Sequence, residues 1–177
     1  MTILVSEQTK STLLYENDFD LWLEQTISQL ENQQFDQLDI EHLIEELTDL
    51  GKSNKRSLES NLIILIAHLL KLKIQQDAPE MMKSSWLDSV SEHRQRILYD
   101  LEEIPSLKSH LETAIAKVYP SSRKLAIKEG KRAKFGVRVP LEKEYPLDCP
   151  FTVEQILDED FEGVEFNHDD HPNPLTP

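Results

Sequence analysis

The chain has 177 residues, of which 33 are acidic and 19 basic, and its net charge of −14 argues against general nucleic-acid binding. Its single cysteine, Cys149, excludes an intrachain disulfide and a zinc site built from several cysteines. No run reaches the roughly 20 apolar residues of a membrane span, and the first residues lack the pattern of a signal peptide. The composition therefore favours a cytoplasmic protein that can bury a sizeable core.

The first two predicted helices are amphipathic and acidic. The first begins at Asn17 or Asp18, which can cap it, and ends near the glutamine-rich patch at Gln33. The second begins after Asp39 and repeats apolar residues at i, i+3, i+4 and i+7 until Gly51, which indicates a helix end or a joint. The apolar positions of these two helices are Phe19, Trp22, Leu23, Ile27, Leu30, Ile40, Leu43, Ile44, Leu47 and Leu50.

The third predicted helix runs from about Ser53 to Ile74. It is apolar almost all round, which is typical of a buried helix, yet it carries His68. After a loop that contains Pro79, a fourth helix is expected to begin at Ser84 or Ser85 and to end before Pro105.

The fifth predicted helix begins at Ser106, and Pro120 is expected to kink or break it before the helical pattern resumes and stops at Gly130. Three prolines then mark an extended segment, and Thr152 with Gln155 forms a capping box that predicts a short helix. No alternation of strands and helices appears. The predicted fold is all-α, an up-and-down bundle of four to five helices with an extended C-terminal arm and one short helix.

The predicted organisation has four parts. Residues 1–13 are expected to be flexible, 14–130 to form the helical bundle, 131–161 to form the arm that packs on the bundle, and 162–177 to be a disordered acidic tail.

Three polar residues fall on or beside apolar helix faces, which makes them the candidate site. Arg94 lies within the apolar stripe of the fourth helix and needs a carboxylate or several carbonyls there, or must reach the end of the bundle, because its charge is costly to bury. His68 lies on the apolar third helix, and Glu46 flanks the stripe of the second. We predict a network of these three residues whose favoured role is to fix helix register. In the catalytic alternative, Glu46 or His68 acts as a base and Arg94 orients an anion.

Metal and nucleophilic sites have weaker signals. His42 and Glu46 stand at i, i+4 and could face one ion, but the Glu-x-x-His pairs of di-iron bundles are absent. The tail residues His168-Asp169-Asp170-His171 have suitable ligand chemistry without a scaffold. Cys149 is interpreted as a packed small hydrophobe. The four glycines include neither a nucleophile elbow nor a phosphate-binding loop, so no metal or cofactor is predicted.

The charge is unevenly distributed along the chain. Residues 1–50 hold 12 acidic residues and 1 basic, 51–140 hold 10 acidic and 17 basic, and 141–177 hold 11 acidic and 1 basic. The favoured interpretation is complementarity between packed helices, and the functional alternative is an acidic surface for a basic partner. Residues 123–138 include seven basic residues and one acidic, and could contact phosphates, although a single aromatic gives little support for base stacking.

Ordered blocks along residues 14–161 resemble the bacterial family known as domain of unknown function 29, which is abundant in cyanobacteria. The blocks are Leu14-Tyr15-Glu16-Asn17-Asp18-Phe19, Trp22-Leu23, Phe35, Leu38-Asp39, Leu43-Ile44-Glu45-Glu46-Leu47, Asp49-Leu50-Gly51, Leu65 to Lys71, Ser85-Trp86, Ser89-Val90, Arg94, Pro105-Ser106-Leu107, Cys149-Pro150-Phe151-Thr152 and Glu154-Gln155-Ile156-Leu157-Asp158. The resemblance implies a small, acidic, helical protein and transfers no catalytic residue.

The sequence therefore predicts a cytoplasmic interaction or regulatory module. Its acidic first two helices are the expected surface for an unknown, basic protein partner, and a homodimer is the default oligomer. The alternative is a small enzyme or ligand-binding protein that uses Glu46, His68 and Arg94.

Overall fold

A computed structural model describes residues 13–132 and 138–164 of the chain, and its regular structure is entirely helical. The α-helices are α1 (Phe19–Glu31), α2 (Ile40–Ile74), α3 (Glu80–Glu103), α4 (Leu111–Gly130) and α5 (Val153–Leu157), with 3₁₀ turns at Phe35–Gln37, Pro105–His110 and Glu142–Glu144. The described residues contain no strand, so the predicted all-α class is confirmed. The predictions for residues 1–12 and for the tail after residue 164 lie outside this part of the chain.

The longest helix, α2, corrects the prediction of two helices joined at Gly51. It continues for 35 residues through this glycine, and a Cβ placed there would meet no atom within 4 Å. One glycine costs a helix only about 1 kcal/mol relative to alanine, and the lysines and arginine that follow are good helix formers. One glycine within a polar stretch is therefore not sufficient to end a helix.

The structure corrects the predicted start of one helix at a proline and excludes a break at another. Pro79 immediately precedes α3, which begins four residues earlier than Ser84, because proline suits the start of a helix. Pro120 lies inside α4, which continues to Gly130. Proline removes one N–H donor from the helix, and the buried side chains of Val118, Tyr119 and Ser122 around it hold the helix in place.

The chain forms two compact units, Met1–Asn54 and Lys55–Pro177, here called the N-terminal and C-terminal units. The boundary falls within α2. The two units differ from the predicted bundle of residues 14–130, whose limits stay a prediction. Each unit contains its own set of buried residues, and the two sets differ greatly in size.

The C-terminal unit contains the hydrophobic core. Residues 55–74 of α2 pack with α3 and α4, and the segment 138–161 adds side chains to the same core. The most buried members are Leu58, Leu62, Leu65, Ile66, Leu69, Leu70, Val90, Ile97, Ala114, Ala126, Tyr145 and Ile156. Among the described residues of the N-terminal unit, by contrast, Trp22 and Leu38 are the only buried apolar side chains.

Local hydrogen bonds explain how two helices begin. The Asp18 carboxylate accepts the Leu21 N–H at 3.1 Å and caps α1, as predicted. The predicted capping box of α5 is also confirmed. The Gln155 N–H donates to the Thr152 hydroxyl at 3.2 Å, and the Gln155 side-chain oxygen accepts the Thr152 N–H at 3.0 Å.

Candidate functional site

Arg94 is buried on the core-facing side of α3, as predicted, with 3 % of its surface exposed. Its guanidinium donates from Nε to the Ile156 carbonyl at 3.0 Å, from Nη1 to the Glu159 carbonyl at 3.2 Å and from Nη2 to the Phe161 carbonyl at 2.8 Å. Burial lowers the pKa of Arg94, although arginine keeps its charge in proteins. The residue therefore holds the C-terminal segment through several carbonyls, one of the arrangements that the sequence allowed.

His68 is half-buried on α2, and its ring nitrogen Nδ1 lies 2.9 Å from the Ile64 carbonyl. A carbonyl only accepts, so Nδ1 carries the hydrogen and Nε2 keeps its lone pair. Burial, and secondarily the charge of Lys71, lower the pKa of His68, which favours the neutral ring. Ser89 Oγ is 3.4 Å from the same Nδ1 and cannot pass its proton there, so Ser89 and His68 do not form a nucleophile and base pair.

Sequence reasoning missed Lys71, one helical turn beyond His68. This side chain is only 5 % exposed, its Nζ lies 2.6 Å from Glu129 Oε2, and the ammonium sits 4.6 Å from the centre of the Trp86 ring. Burial lowers the pKa of Lys71 and the bond to Glu129 opposes that shift. The lysine joins α2 to α4, and the only sequence signal was a charge within an otherwise apolar helix.

Glu46 belongs to the N-terminal unit and accepts a hydrogen bond from the Tyr15 hydroxyl at 2.7 Å. That bond raises the pKa of Tyr15 to about 12. The Tyr15 ring stacks on His42 at 4.0 Å between centroids, and His42 Nδ1 lies 2.8 Å from Asp39 Oδ2. The hydrogen bonds of Glu46, His68 and Arg94 thus lead to three separate sets of partners, and a shared catalytic role for these residues stays a prediction.

The weak metal candidates His42 and Glu46 therefore have other hydrogen-bond partners. Within residues 13–132 and 138–164, no group of three or more histidine, cysteine, aspartate and glutamate side chains is placed to hold a metal ion. The tail cluster from His168 to His171 lies outside the described residues. Cys149 is half-buried against the core, and burial raises the pKa of its thiol, which lowers its reactivity.

The side chains around Tyr15 form an aromatic cluster that organises the N-terminal unit. Tyr15 also meets Trp22 and Phe19 edge-on, with ring centroids 5.0 and 6.0 Å apart. Trp22 is buried, and its Nε1 has no hydrogen-bond partner among the described residues. This cluster, with His42, connects the helical residues 13–17 to α1 and to the beginning of α2.

Eight of the exposed apolar side chains of this unit define what we call the N-terminal apolar surface. Its members lie along α1 and the first three turns of α2 and are each between 40 and 60 % exposed: Phe19, Leu23, Ile27, Leu30, Ile40, Ile44, Leu47 and Leu50. These are the positions whose spacing predicted the two helices. The pattern indicated amphipathic helices correctly but did not indicate that so much of the apolar face would be accessible to solvent.

Comparison with known proteins gives one match. The model of the family described as Domain of unknown function DUF29 matches residues 14–162, which confirms the resemblance. No curated protein and no solved structure matches the chain. Among the described helices, none is long and apolar enough to cross a membrane.

Proposed function

This chain belongs to the family described as Domain of unknown function DUF29, and we propose that it is a protein-interaction module. Its N-terminal apolar surface binds a basic, amphipathic helix of a partner protein. The observation that carries this proposal is the exposure of eight large apolar side chains on two neighbouring helices. Soluble monomers rarely expose extensive apolar surface, and such surfaces mark places where another molecule binds.

The recurrence of these side chains fits a helical partner. On α1 they follow positions 19, 23, 27 and 30, and on α2 positions 40, 44, 47 and 50. Two ridges of this kind provide a surface against which a partner helix can place its own i, i+3, i+4, i+7 face. Fully burying a leucine or isoleucine contributes about 1.5–3 kcal/mol, so covering several that are half-exposed is sufficient to drive association.

Charge indicates which partner fits. Residues 1–50 hold 12 acidic residues against 1 basic, so the apolar ridges lie in strongly acidic surroundings. A symmetric contact with the same surface of a second copy would place like charges together, which is unfavourable. A partner with lysine or arginine around its apolar face gains electrostatic attraction and faster association. The predicted homodimer is therefore a competing outcome of the experiment below.

The experiment uses two synthetic helical peptides of about 18 residues, five turns each, with leucine at i, i+3, i+4 and i+7. One carries lysine at the remaining positions and the other carries glutamate. We expect the labelled lysine peptide to bind the full chain, measured by fluorescence anisotropy, and the glutamate peptide not to bind. Replacing Ile44 and Leu47 with glutamine removes two central apolar contacts and should weaken binding of the lysine peptide about tenfold or more.

The control is Met81→Gln, which removes a more exposed apolar side chain, 82 % against 60 % for Ile44 and Leu47, from the C-terminal unit. It should leave peptide affinity unchanged. Equal loss in the control and in the Ile44/Leu47 variant would show non-specific adhesion. Equal binding of both peptides, or a concentration-dependent dimer that the Ile44/Leu47 variant abolishes, would contradict a basic partner.

The alternative function, a small enzyme that uses Glu46, His68 and Arg94, has less support. Three of the five N–H donors of Arg94 bind backbone carbonyls, which leaves at most two to orient an anion. His68 donates its Nδ1 hydrogen to the Ile64 carbonyl. These contacts favour structural roles for both residues.

A further inference from the structure

The C-terminal end of α4 carries basic side chains along one face. Lys124, Lys128 and Lys131 follow i, i+4, i+7 spacing, and Arg132 adjoins them. With Arg123, Ile127 and Glu142, these four residues line a groove of about 740 Å³, here called the basic groove. Small-molecule sites range from about 300 to 1,000 Å³, so the groove is large enough for a ligand.

One cation of the basic groove already has a structural role. Arg123 donates from Nε to the carbonyls of Tyr145 and Pro146, at 3.1 and 2.9 Å, and from Nη2 to the Glu142 carbonyl at 2.9 Å. The Glu142 carboxylate lies 3.7 Å from Arg123 Nη1 and 3.9 Å from Lys131 Nζ. Arg123 therefore forms a wall of the groove, and Glu142 partly neutralises that side.

The other side of the groove is not neutralised. Lys124, Lys128 and Arg132 are exposed and have no ionic partner among the residues that the structure describes. The negative end of the α4 dipole favours cations here, but by only about 0.3–1 kcal/mol for an exposed charge. The helix dipole is therefore too weak to explain why several cations line one groove.

We propose that the basic groove binds an organic phosphate, with Lys128 and Arg132 holding the phosphate and Ile127 lying beneath the organic part. Lysine supplies a point charge and arginine a planar fork, the two means by which proteins bind phosphate. From Lys124 to the end of α4 at Gly130 the helix rises about 9 Å, and Lys131 and Arg132 follow directly, which concentrates the positive charge on a ligand-sized area. The carboxylates of an acidic peptide would lie farther apart along that length than the oxygens of a phosphate group do. No residue of the N-terminal unit takes part, so this site is independent of the proposed function.

The test is isothermal titration calorimetry of the full chain with ATP and with inorganic pyrophosphate at low salt. We expect saturable binding that weakens as salt is added. Replacing both Lys128 and Arg132 with glutamine should lower the affinity about tenfold, because it removes two charge-assisted hydrogen bonds. Glu142→Gln should raise the affinity several-fold, because it removes the carboxylate that competes for Arg123 and Lys131.

The control is Lys108→Gln, which makes the same change of charge at an exposed position outside the groove. It should not alter the affinity, and an equal loss there would overturn the proposal in favour of non-specific attraction. Vesicles of phosphatidylcholine with and without phosphatidic acid distinguish the two sources of the phosphate. Binding to the phosphatidic acid vesicles alone, lost in the Lys128/Arg132 variant, supports a lipid headgroup.

Two other results would overturn the proposal. One is the absence of binding to ATP, pyrophosphate and phosphatidic acid vesicles. The second is binding of poly-glutamate without binding of any phosphate probe, which would show that the groove receives acidic protein segments.

Discussion

Arg94 shows how one side chain can determine the position of a whole segment. Three of its five N–H groups donate to the carbonyls of Ile156, Glu159 and Phe161, which lie at the end of the short helix α5 and beyond it. Backbone carbonyls that are buried without a donor are costly, so the arginine and this segment depend on each other.

We predict that Arg94→Lys lowers the free energy of unfolding by about 3 kcal/mol, because a lysine ammonium cannot reach all three carbonyls that the planar guanidinium contacts. The measurement is urea unfolding followed by circular dichroism. The control is Arg96→Lys, two residues away on the exposed side of α3, where the change in the salt bridge to Glu92 should cost less than about 0.5 kcal/mol. Similar losses in both variants would contradict the structural role of Arg94.

The burial of Arg94 could be predicted from sequence because helical periodicity places it between Val90 and Ile97. Its partners could not. The accepting carbonyls are 62 to 67 residues away and belong to no sequence motif, and backbone acceptors leave no trace in side-chain identity. The prediction therefore assigned Glu46, a carboxylate that flanks the apolar stripe of its own helix, and the structure shows Glu46 accepting a hydrogen bond from Tyr15.

At the scale of single helices, α2 is the most informative element. One helix of 35 residues runs through Gly51 and supplies both the exposed residues of the N-terminal apolar surface and the most buried part of the core.

We predict that Gly51→Ala raises the free energy of unfolding by about 1 kcal/mol, because alanine is the better helix former and its Cβ meets no atom within 4 Å. Urea unfolding measures this change. Gly130→Ala is the contrasting variant, since a Cβ there would lie 2.6 Å from the Tyr145 hydroxyl oxygen. It should lose about 1–2 kcal/mol through overpacking. Destabilisation by Gly51→Ala would show that the helix is interrupted at this glycine.

Helix existence was easier to predict than helix limits. The apolar repeats of α1, α3 and α4 were sufficient to find these helices, and side-chain bonds marked two helix starts, Asp18 that of α1 and Thr152 with Gln155 that of α5. Gly51 was misread because a helix tolerates one weak residue when neighbouring turns are stable. Such tolerance depends on tertiary packing, which the local sequence does not contain.

On the scale of the whole molecule, the described buried apolar side chains are distributed unequally between the two units. The C-terminal unit contains the described hydrophobic core, whereas Trp22 and Leu38 are the buried apolar residues described in the N-terminal unit. Local stability follows the number of buried apolar side chains and the protection of backbone hydrogen bonds. The part of the chain that carries the proposed binding surface is therefore expected to open more readily.

We predict that amide hydrogen exchange, measured by mass spectrometry, is at least about tenfold faster in residues 40–50 than in residues 58–72. Both segments belong to α2, so helix type and intrinsic propensity are similar and burial is the main difference. The lysine peptide of the binding experiment should slow exchange in residues 40–50 and leave 58–72 unchanged. Equal exchange in the two segments of the free protein would contradict the expectation that residues 40–50 open more readily than residues 58–72.

The sequence showed that net charge differs between parts of the chain. It did not show that the burial of apolar side chains differs as well. Net charge can be counted along the sequence, whereas the exposure of Ile44 or Leu47 depends on which elements lie nearby in space. Their apolar pattern is the same in a buried amphipathic helix and in a binding helix. Only the three-dimensional arrangement separates these two cases.

The position of Arg94 also has a consequence for protein synthesis. The ribosome makes the carbonyls that this arginine requires 62 to 67 residues after the arginine itself. During that interval α3 is complete while its buried charge lacks acceptors, so the nascent C-terminal unit cannot reach its final state. The N-terminal surface has already left the ribosome by then. A partner could engage this surface before the rest of the protein has folded.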